Sequence, residues 1–274
     1  MERFIEVPGG RLFVVDDGDG RPIVLIHAGI ADHRAWDPMI PGLVAAGYRP
    51  IRYDTRAFGR SPTEDVEFSN RSDLVAILDG FRIGRAVLVG NSRGGQIAFD
   101  SAIEFPDRVA AVVGVGAGLG GRLGETSPAE TALFDEMERL EAANPPDADA
   151  IAEMDVRVWV DGPGQSPERV PMAIREAVRA MDKPQYAPDL VSGQPIVLDP
   201  PAAARLADLR CPVLAVAGAL DVSNVVETAY HLQANAPNAR AVILPDVAHM
   251  IGMEAPDRLN ALIVDFLRPL EAWG

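Results

Sequence analysis

The chain has 274 residues, 48% of them hydrophobic, and its 40 acidic side chains against 25 basic ones leave a net charge of −15. This length can bury one large core with an insertion, while the acidic balance sets nucleic acid and anionic membrane surfaces aside as partners, since both would be repelled. No run is long and apolar enough to span a membrane, residues 1–6 lack a basic-then-apolar leader, and the single cysteine, Cys211, rules out an internal disulfide framework and suits the cytoplasm.

Two strands over 3–7 and 11–16 flank the hairpin signal Pro8-Gly9-Gly10. A buried strand over 22–27 leads into the loop 28–33. Asp37 and Pro38 read as the N-cap and first-turn proline of a helix striped by Ile40, Leu43 and Val44 and closed by Gly47, with Trp36 just ahead of it. A strand over 49–54 opens the polar loop 55–61, and Leu74, Ile77, Leu78 and Phe81 predict a helix over 72–82. The apolar run 86–89 is a strand buried on both faces. A helix from Gln96 follows, with Ile97, Ala98, Ala102 and Ile103 on one side, and 109–115 is again a strand. Alternation of this kind indicates an α/β protein with a mainly parallel sheet covered on both faces.

The rhythm then changes. Residues 121–207 show no convincing strand and three amphipathic helices, marked by Leu133, Phe134, Met137 and Leu140, by Ile151, Met154, Val158 and Trp159, and by Ile174, Ala177, Val178 and Met181. Proline-rich joints at 144–146, 162–164 and 199–201 punctuate the block. The sheet resumes with a strand over 212–217, a helix over 224–235, a strand over 241–244 and a last helix over 257–267. The expected division is a core of 1–120 and 208–274 with a helical cap of 121–207 inserted between its parts.

Gly90-x-Ser92-x-Gly94 stands between a buried strand and a helix, the context of a nucleophile elbow. A serine hydroxyl needs a base within reach. Of His27, His33, His231 and His249, the last follows the final strand at the C-terminal end of the sheet, where it can reach Ser92. Asp221, just past the strand 212–217, is placed to orient His249, and Asp246 reads as a solvated turn residue. An oxyanion hole needs two fixed N–H donors: the backbone of Arg93 at the start of a helix, and that of Gly29, with Ile30 as the alternative. The chain order Ser92, Asp221, His249 is nucleophile, acid, base.

These stretches resemble the α/β-hydrolase superfamily along essentially the whole chain: His27-Ala28-Gly29 with Trp36 seven residues past Gly29, the run from Asp54 to Ser61, Gly90-Asn91-Ser92-Arg93-Gly94-Gly95, Gly218-x-x-Asp221, and His249. The branch they look most like holds 3-oxoadipate enol-lactonases, small-ester esterases, cofactor-free perhydrolases and C–C hydrolases of ring-cleavage products. The resemblance implies an α/β-hydrolase fold, an eight-stranded sheet with a helical cap between its sixth and seventh strands. Ala28 and Ala57 replace glycines usual in the family. Arg93 stands where many relatives carry Met, Leu or Phe. Its guanidinium either holds a substrate carboxylate or pairs with an acid of the cap, and the pairing is the simpler expectation. Haloalkane dehalogenases and epoxide hydrolases of this fold use an aspartate where Ser92 stands. No Cys/His/Asp cluster has metal-ligand spacing, and Gly114-x-Gly116-x-Gly118-x-Gly120 lacks the dinucleotide form.

The reading is a cytoplasmic serine hydrolase, without metal or cofactor, acting on a small carboxylic ester or lactone. Ile30, Met154, Val158 and Trp159 are expected to line its substrate pocket. C–C bond hydrolysis or perhydrolysis by the same triad stands as the alternative, and a ligand receptor built on the fold as the rival of another class. Self-association into a homodimer is left open.

Overall fold

The computed structural model describes residues 1–122 and 124–270. The chain opens with β1 (Glu2–Val7), β2 (Gly10–Asp16) and β3 (Arg21–Ile26), then α1 (Ile40–Ala45), β4 (Tyr48–Tyr53) and the two-residue β5 (Glu67–Phe68). Next come α2 (Asn70–Gly80), β6 (Ala86–Asn91), α3 (Arg93–Glu104) and β7 (Val109–Val115). The middle of the chain holds α4 (Pro128–Glu141), α5 (Ala148–Asp155), α6 (Met172–Asp182) and the short β8 (Gln194–Pro195). It closes with β9 (Val213–Gly218), α7 (Ser223–Asn235), β10 (Ala239–Leu244), α8 (Ile251–Glu254) and α9 (Pro256–Leu267).

Eight strands form one sheet in the order β1-β2-β4-β3-β6-β7-β9-β10. β2 runs antiparallel to β1 and β4, and the remaining neighbours are parallel. β7 and β9 are apolar at every position because both faces of the sheet are covered there. Val24, Ile26, Leu88 and Val112 pack under α2, α3 and α7, whereas Ile23, Leu25, Val87, Val89, Val113 and Val216 pack under α1 and α9. The strand period of two thus divides one apolar sequence run between two half-cores. Among the described residues no helix is long and apolar enough to cross a membrane.

The α/β-hydrolase architecture expected from the sequence is present, with local departures. Asp37 does not cap a helix. Asp32 caps a 3-10 turn over His33–Met39, its carboxylate accepting the Arg34 N–H at 2.9 Å, and Pro38 lies inside that turn. An earlier polar residue with free N–H groups ahead of it outcompetes Asp37. α2 begins two residues earlier than the apolar stripe suggests, because Ser69 accepts the Ser72 N–H. The stretch 121–207 is not wholly strand-free: β8 pairs with β5 in a separate two-stranded sheet, outside the main one. Two residues with exposed side chains leave no periodicity to read. The second helix of this stretch also changes form, since α5 gives way to a π-helix over Val156–Asp161.

Candidate active site

β6 ends in a sharp turn. Ser92 sits at φ 55° and ψ −118°, a conformation that costs on the order of 1–3 kcal/mol and needs support on both sides. Its N–H donates to the Val115 carbonyl at 2.9 Å, and its carbonyl accepts from Gly95, Gln96 and Gly118 at 2.9, 3.2 and 3.1 Å. A Cβ at Gly90 would strike the Gly94 carbonyl, and one at Gly94 would strike that of Ile26, so only glycines let strand and helix pass this closely. The result is a serine at the N-terminus of α3, held at the C-terminal edge of the sheet.

β10 lies three strands from β6, roughly 14 Å away at about 4.8 Å per strand, yet its following loop crosses back to the elbow. Asn91 Nδ2 donates to the Val115 carbonyl at 2.8 Å and to the His249 carbonyl at 3.3 Å. Gly116 gives the imidazole room, for a Cβ there would lie 3.0 Å from His249 Nδ1. His249 Nδ1 donates to Asp221 Oδ2 at 2.8 Å, and Asp221 Oδ1 accepts the Val222 N–H at 2.8 Å. Both side chains are shut away from water, at 2% and 0% exposure. The bond fixes the proton on Nδ1 and leaves Nε2 as a lone-pair acceptor. Neither Nε2 nor the Ser92 hydroxyl has a hydrogen bond among the described residues, and Ser92 is half-buried.

The backbone N–H groups of Arg93, Gly29 and Ile30 have no acceptor among the described residues. Arg93 begins α3, where the helix dipole adds to its N–H. The expected acid partner for its side chain is not found among the described residues. Nη2 donates to Thr55 Oγ1, the guanidinium lies 4.4 Å from the Phe58 ring centroid, and Nε is buried without a partner. Burial pulls the guanidinium down to about 10, still cationic at neutral pH. By contrast, the buried Arg56, Arg71 and Arg175 each meet a carboxylate.

Of the nominated lining residues, Trp159 reaches the site, its ring 4.7 Å centroid to centroid from His249. Met154 and Val158 are closed into one cluster with Val222, and Ile30 packs on the cluster that holds Ala28, Val156 and Met250. One residue absent from the sequence reading ties these parts together. Arg169 donates to the carbonyls of Val160, Asp161 and Asp246 at 2.6, 2.8 and 3.1 Å and pairs with Glu254 at 2.6 Å. It joins the segment carrying Trp159 to the loop carrying His249. Neither Arg169 nor Asn91 has a sequence signal apart from position, since their partners, backbone carbonyls and for Arg169 also Glu254, are brought close by folding.

The other histidines are engaged elsewhere. His27 donates from Nδ1 to the Ala28 carbonyl at 2.7 Å and accepts the Thr55 N–H at Nε2 at 3.0 Å; burial and then the Arg93 charge lower it to about 4. His231 stays on α7 beside Asn235. His33 Nδ1 donates to Asp54 at 2.8 Å. Asp32, His33 and Asp54 gather three metal-capable atoms within 4.8 Å, a grouping invisible in linear spacing. Asp32 is bound twice over by Arg34, and Asp54 also accepts the N–H groups of His33 and Arg60.

A model of the alpha/beta hydrolase family matches residues 23–262. The chain is 28% identical to a 2-hydroxy-6-oxononadienedioate/2-hydroxy-6-oxononatrienedioate hydrolase of Burkholderia vietnamiensis, over 94% of this chain and 91% of that one. It is 26% identical to epoxide hydrolase B of Mycobacterium tuberculosis, over 97% and 98%. The structure is similar to that of a thermophilic esterase from Thermogutta terrifontis, with a TM-score of 0.76, 25% identity and coverage of 99% and 100%.

Proposed function

The chain belongs to the α/β-hydrolase family, and from that premise we propose that it is a cytoplasmic serine hydrolase cleaving a small carboxylic ester or lactone through an acyl-enzyme on Ser92. The observation that carries this reading is the buried His249–Asp221 pair at 2.8 Å, fastened through Asn91 beside the strained serine. Ser92 Oγ attacks the carbonyl carbon while His249 Nε2 takes its proton, and Asp221 stabilises the imidazolium. The N–H groups of Arg93 and Gly29 hold the oxyanion. His249 then protonates the leaving alkoxide, activates a water against the acyl group, and returns the proton to Ser92 as the acid departs.

The serine sets ester cleavage ahead of epoxide opening, for which the family resemblance implies an aspartate nucleophile. Residues 121–207 act as the cap, with Trp159 on the pocket wall. The unpaired Arg93 guanidinium favours substrates that bring their own carboxylate, because a half-buried cation left without an anion gains by pairing with one. It also supports a second reading, C–C hydrolysis of an acidic vinylogous diketone, nearest to the substrate name of the Burkholderia vietnamiensis relative.

One experiment tests the assignment: turnover of neutral esters, hemi-esters of dicarboxylic acids, lactones and vinylogous diketones by parent and Ser92→Ala, with phosphonate labelling. Ser92→Ala is expected to lower turnover by a factor on the order of 10³ or more, with label on Ser92 in the parent and hemi-esters favoured over neutral isosteres. Label on another residue, or unaltered turnover in the variant, overturns the nucleophile. A single slow turnover points instead to a receptor.

A further inference from the structure

The segment that carries Trp159 rests on a pair of acids. Asp155 ends α5 and Asp182 ends α6, and they are 2% and 1% exposed. Asp155 Oδ2 accepts the Tyr186 hydroxyl at 2.8 Å, and its carboxyl group also faces the Trp159 indole N–H and Asp182. Neither Asp182 oxygen meets an N–H or O–H donor among the described residues. Among the described residues no cation answers the two charges. Lys183 pairs with Asp149, Arg175 with Asp161 and Glu153, and Arg179 with Glu153. The remaining groups turned toward the pair, Glu141 from α4 and Tyr186 from the 3-10 turn after α6, are acids themselves.

Two buried carboxylates in contact cannot both be ionised without a counter-charge. A proton on one of them turns repulsion into an O–H···O⁻ hydrogen bond, the strong short kind. We propose that Asp155 and Asp182 share one proton, and that this bridged pair is a positioning unit that holds Trp159 against His249. Trp159 lies four residues after Asp155, one turn on, inside the π-helix Val156–Asp161. Wide turns of this type are weakly held by their own hydrogen bonds and recur at functional sites. Here the pair anchors one end of the turn and Arg169 the other. Burial, and then the Asp155 charge, push Asp182 up to about 8. The proton is therefore present at neutral pH and leaves at mildly alkaline pH, where the two like charges drive α5 and α6 apart and loosen Trp159 from the imidazole.

The part concerning turnover rests on the serine hydrolase reading, so the test has a readout that does not. Emission attributable to Trp159, taken as the difference between the parent and Trp159→Phe, is followed from pH 6.5 to 9.5 beside kcat/KM for an ester. The parent is expected to show one alkaline transition in both, with kcat/KM falling at least threefold. Asp182→Asn, whose amide donates to Asp155 at every pH, removes the transition from both curves. Asp182→Ala, which leaves Asp155 without that donor, lowers kcat/KM already at pH 7. Absence of any transition in parent emission, or a transition unchanged in Asp182→Asn, overturns the proposal. An emission transition abolished by Asp182→Asn in a protein that cleaves no ester leaves the pair standing and removes the hydrolase reading instead.

Discussion

Asp221 and Asp246 are the two acids that the sequence offers to orient His249, and burial separates them. Asp221 is enclosed, with one oxygen on the imidazole and the other on a backbone N–H. Asp246 is exposed in a left-handed turn at φ 64°, where its carbonyl receives Arg169. Asp221→Asn replaces an acceptor by an amide that can force the wrong imidazole tautomer. It is expected to lower kcat by a factor on the order of 10² or more, whereas Asp246→Asn stays within about threefold of the parent, a solvated side chain having little to lose. Steady-state rates on one ester decide the matter, and the reverse order would reassign the acid. The elbow and the strand ends that carry these residues were legible in the sequence because their signals are local. The fate of the Arg93 side chain was not, because Thr55 and Phe58 reach it from the loop after β4.

At the scale of elements, the feature that matters most is the passage from α5 into the π-helix. A helical stripe of Met154, Val158 and Trp159 suggested one apolar face. Across the change of winding after Asp155, Trp159 still packs on the cluster of Met154, Val158 and Val222, and its ring also faces His249. An aromatic wall beside the base limits the size of what can bind there. Trp159→Ala is expected to shift the preferred acyl chain toward larger groups, measured as the ratio of kcat/KM for a long over a short ester, with phosphonate labelling of Ser92 retained. A loss of stability with the ratio unmoved would make Trp159 a packing residue alone.

For the whole molecule, the buried acids make stability depend on pH in a direction that can be worked out. His27 has a folded value lowered to about 4, so the unfolded chain takes up its proton first as pH falls below about 6.5, and stability is lost on the acid side. Asp182 is raised to about 8 and Asp100 to about 6, both chiefly by burial. A raised carboxyl group binds its proton more tightly in the folded state, so the stability it contributes falls as pH climbs from the unfolded value to the folded one. Between pH 7 and 8 His27 is neutral in both states and Asp100 is largely ionised in both, which leaves the coupled Asp155–Asp182 pair to set the slope. The melting temperature of the parent is therefore expected to drop by a few degrees across pH 6.5–8.5, at about 2–4 °C per kcal/mol for a chain of this size. Asp182→Asn flattens the drop, as scanning calorimetry in matched buffers would show, and an equal drop in the variant would count against the buried proton.

What the sequence determined by itself was whatever depends on neighbours a few residues apart. The apolar runs named the strands, period 3.6 named the helices flanking them, and Gly90-x-Ser92-x-Gly94 named the turn, since each signal is written by local backbone preference and by which side chains must leave water. The pairing of the Asp37 carboxylate with Arg52 of β4, and that of β8 with β5, were decided by groups that meet only once the chain is folded. The same holds for the parts that assemble the site. Asn91 spans to a carbonyl 158 positions away, Arg169 reaches across 85 positions to Glu254, and Asp155 meets Asp182 from another helix. Such contacts leave no period in the sequence, because hydrogen bonding to a backbone carbonyl or to a shared proton asks only that two groups be close, and closeness is a property of the tertiary structure.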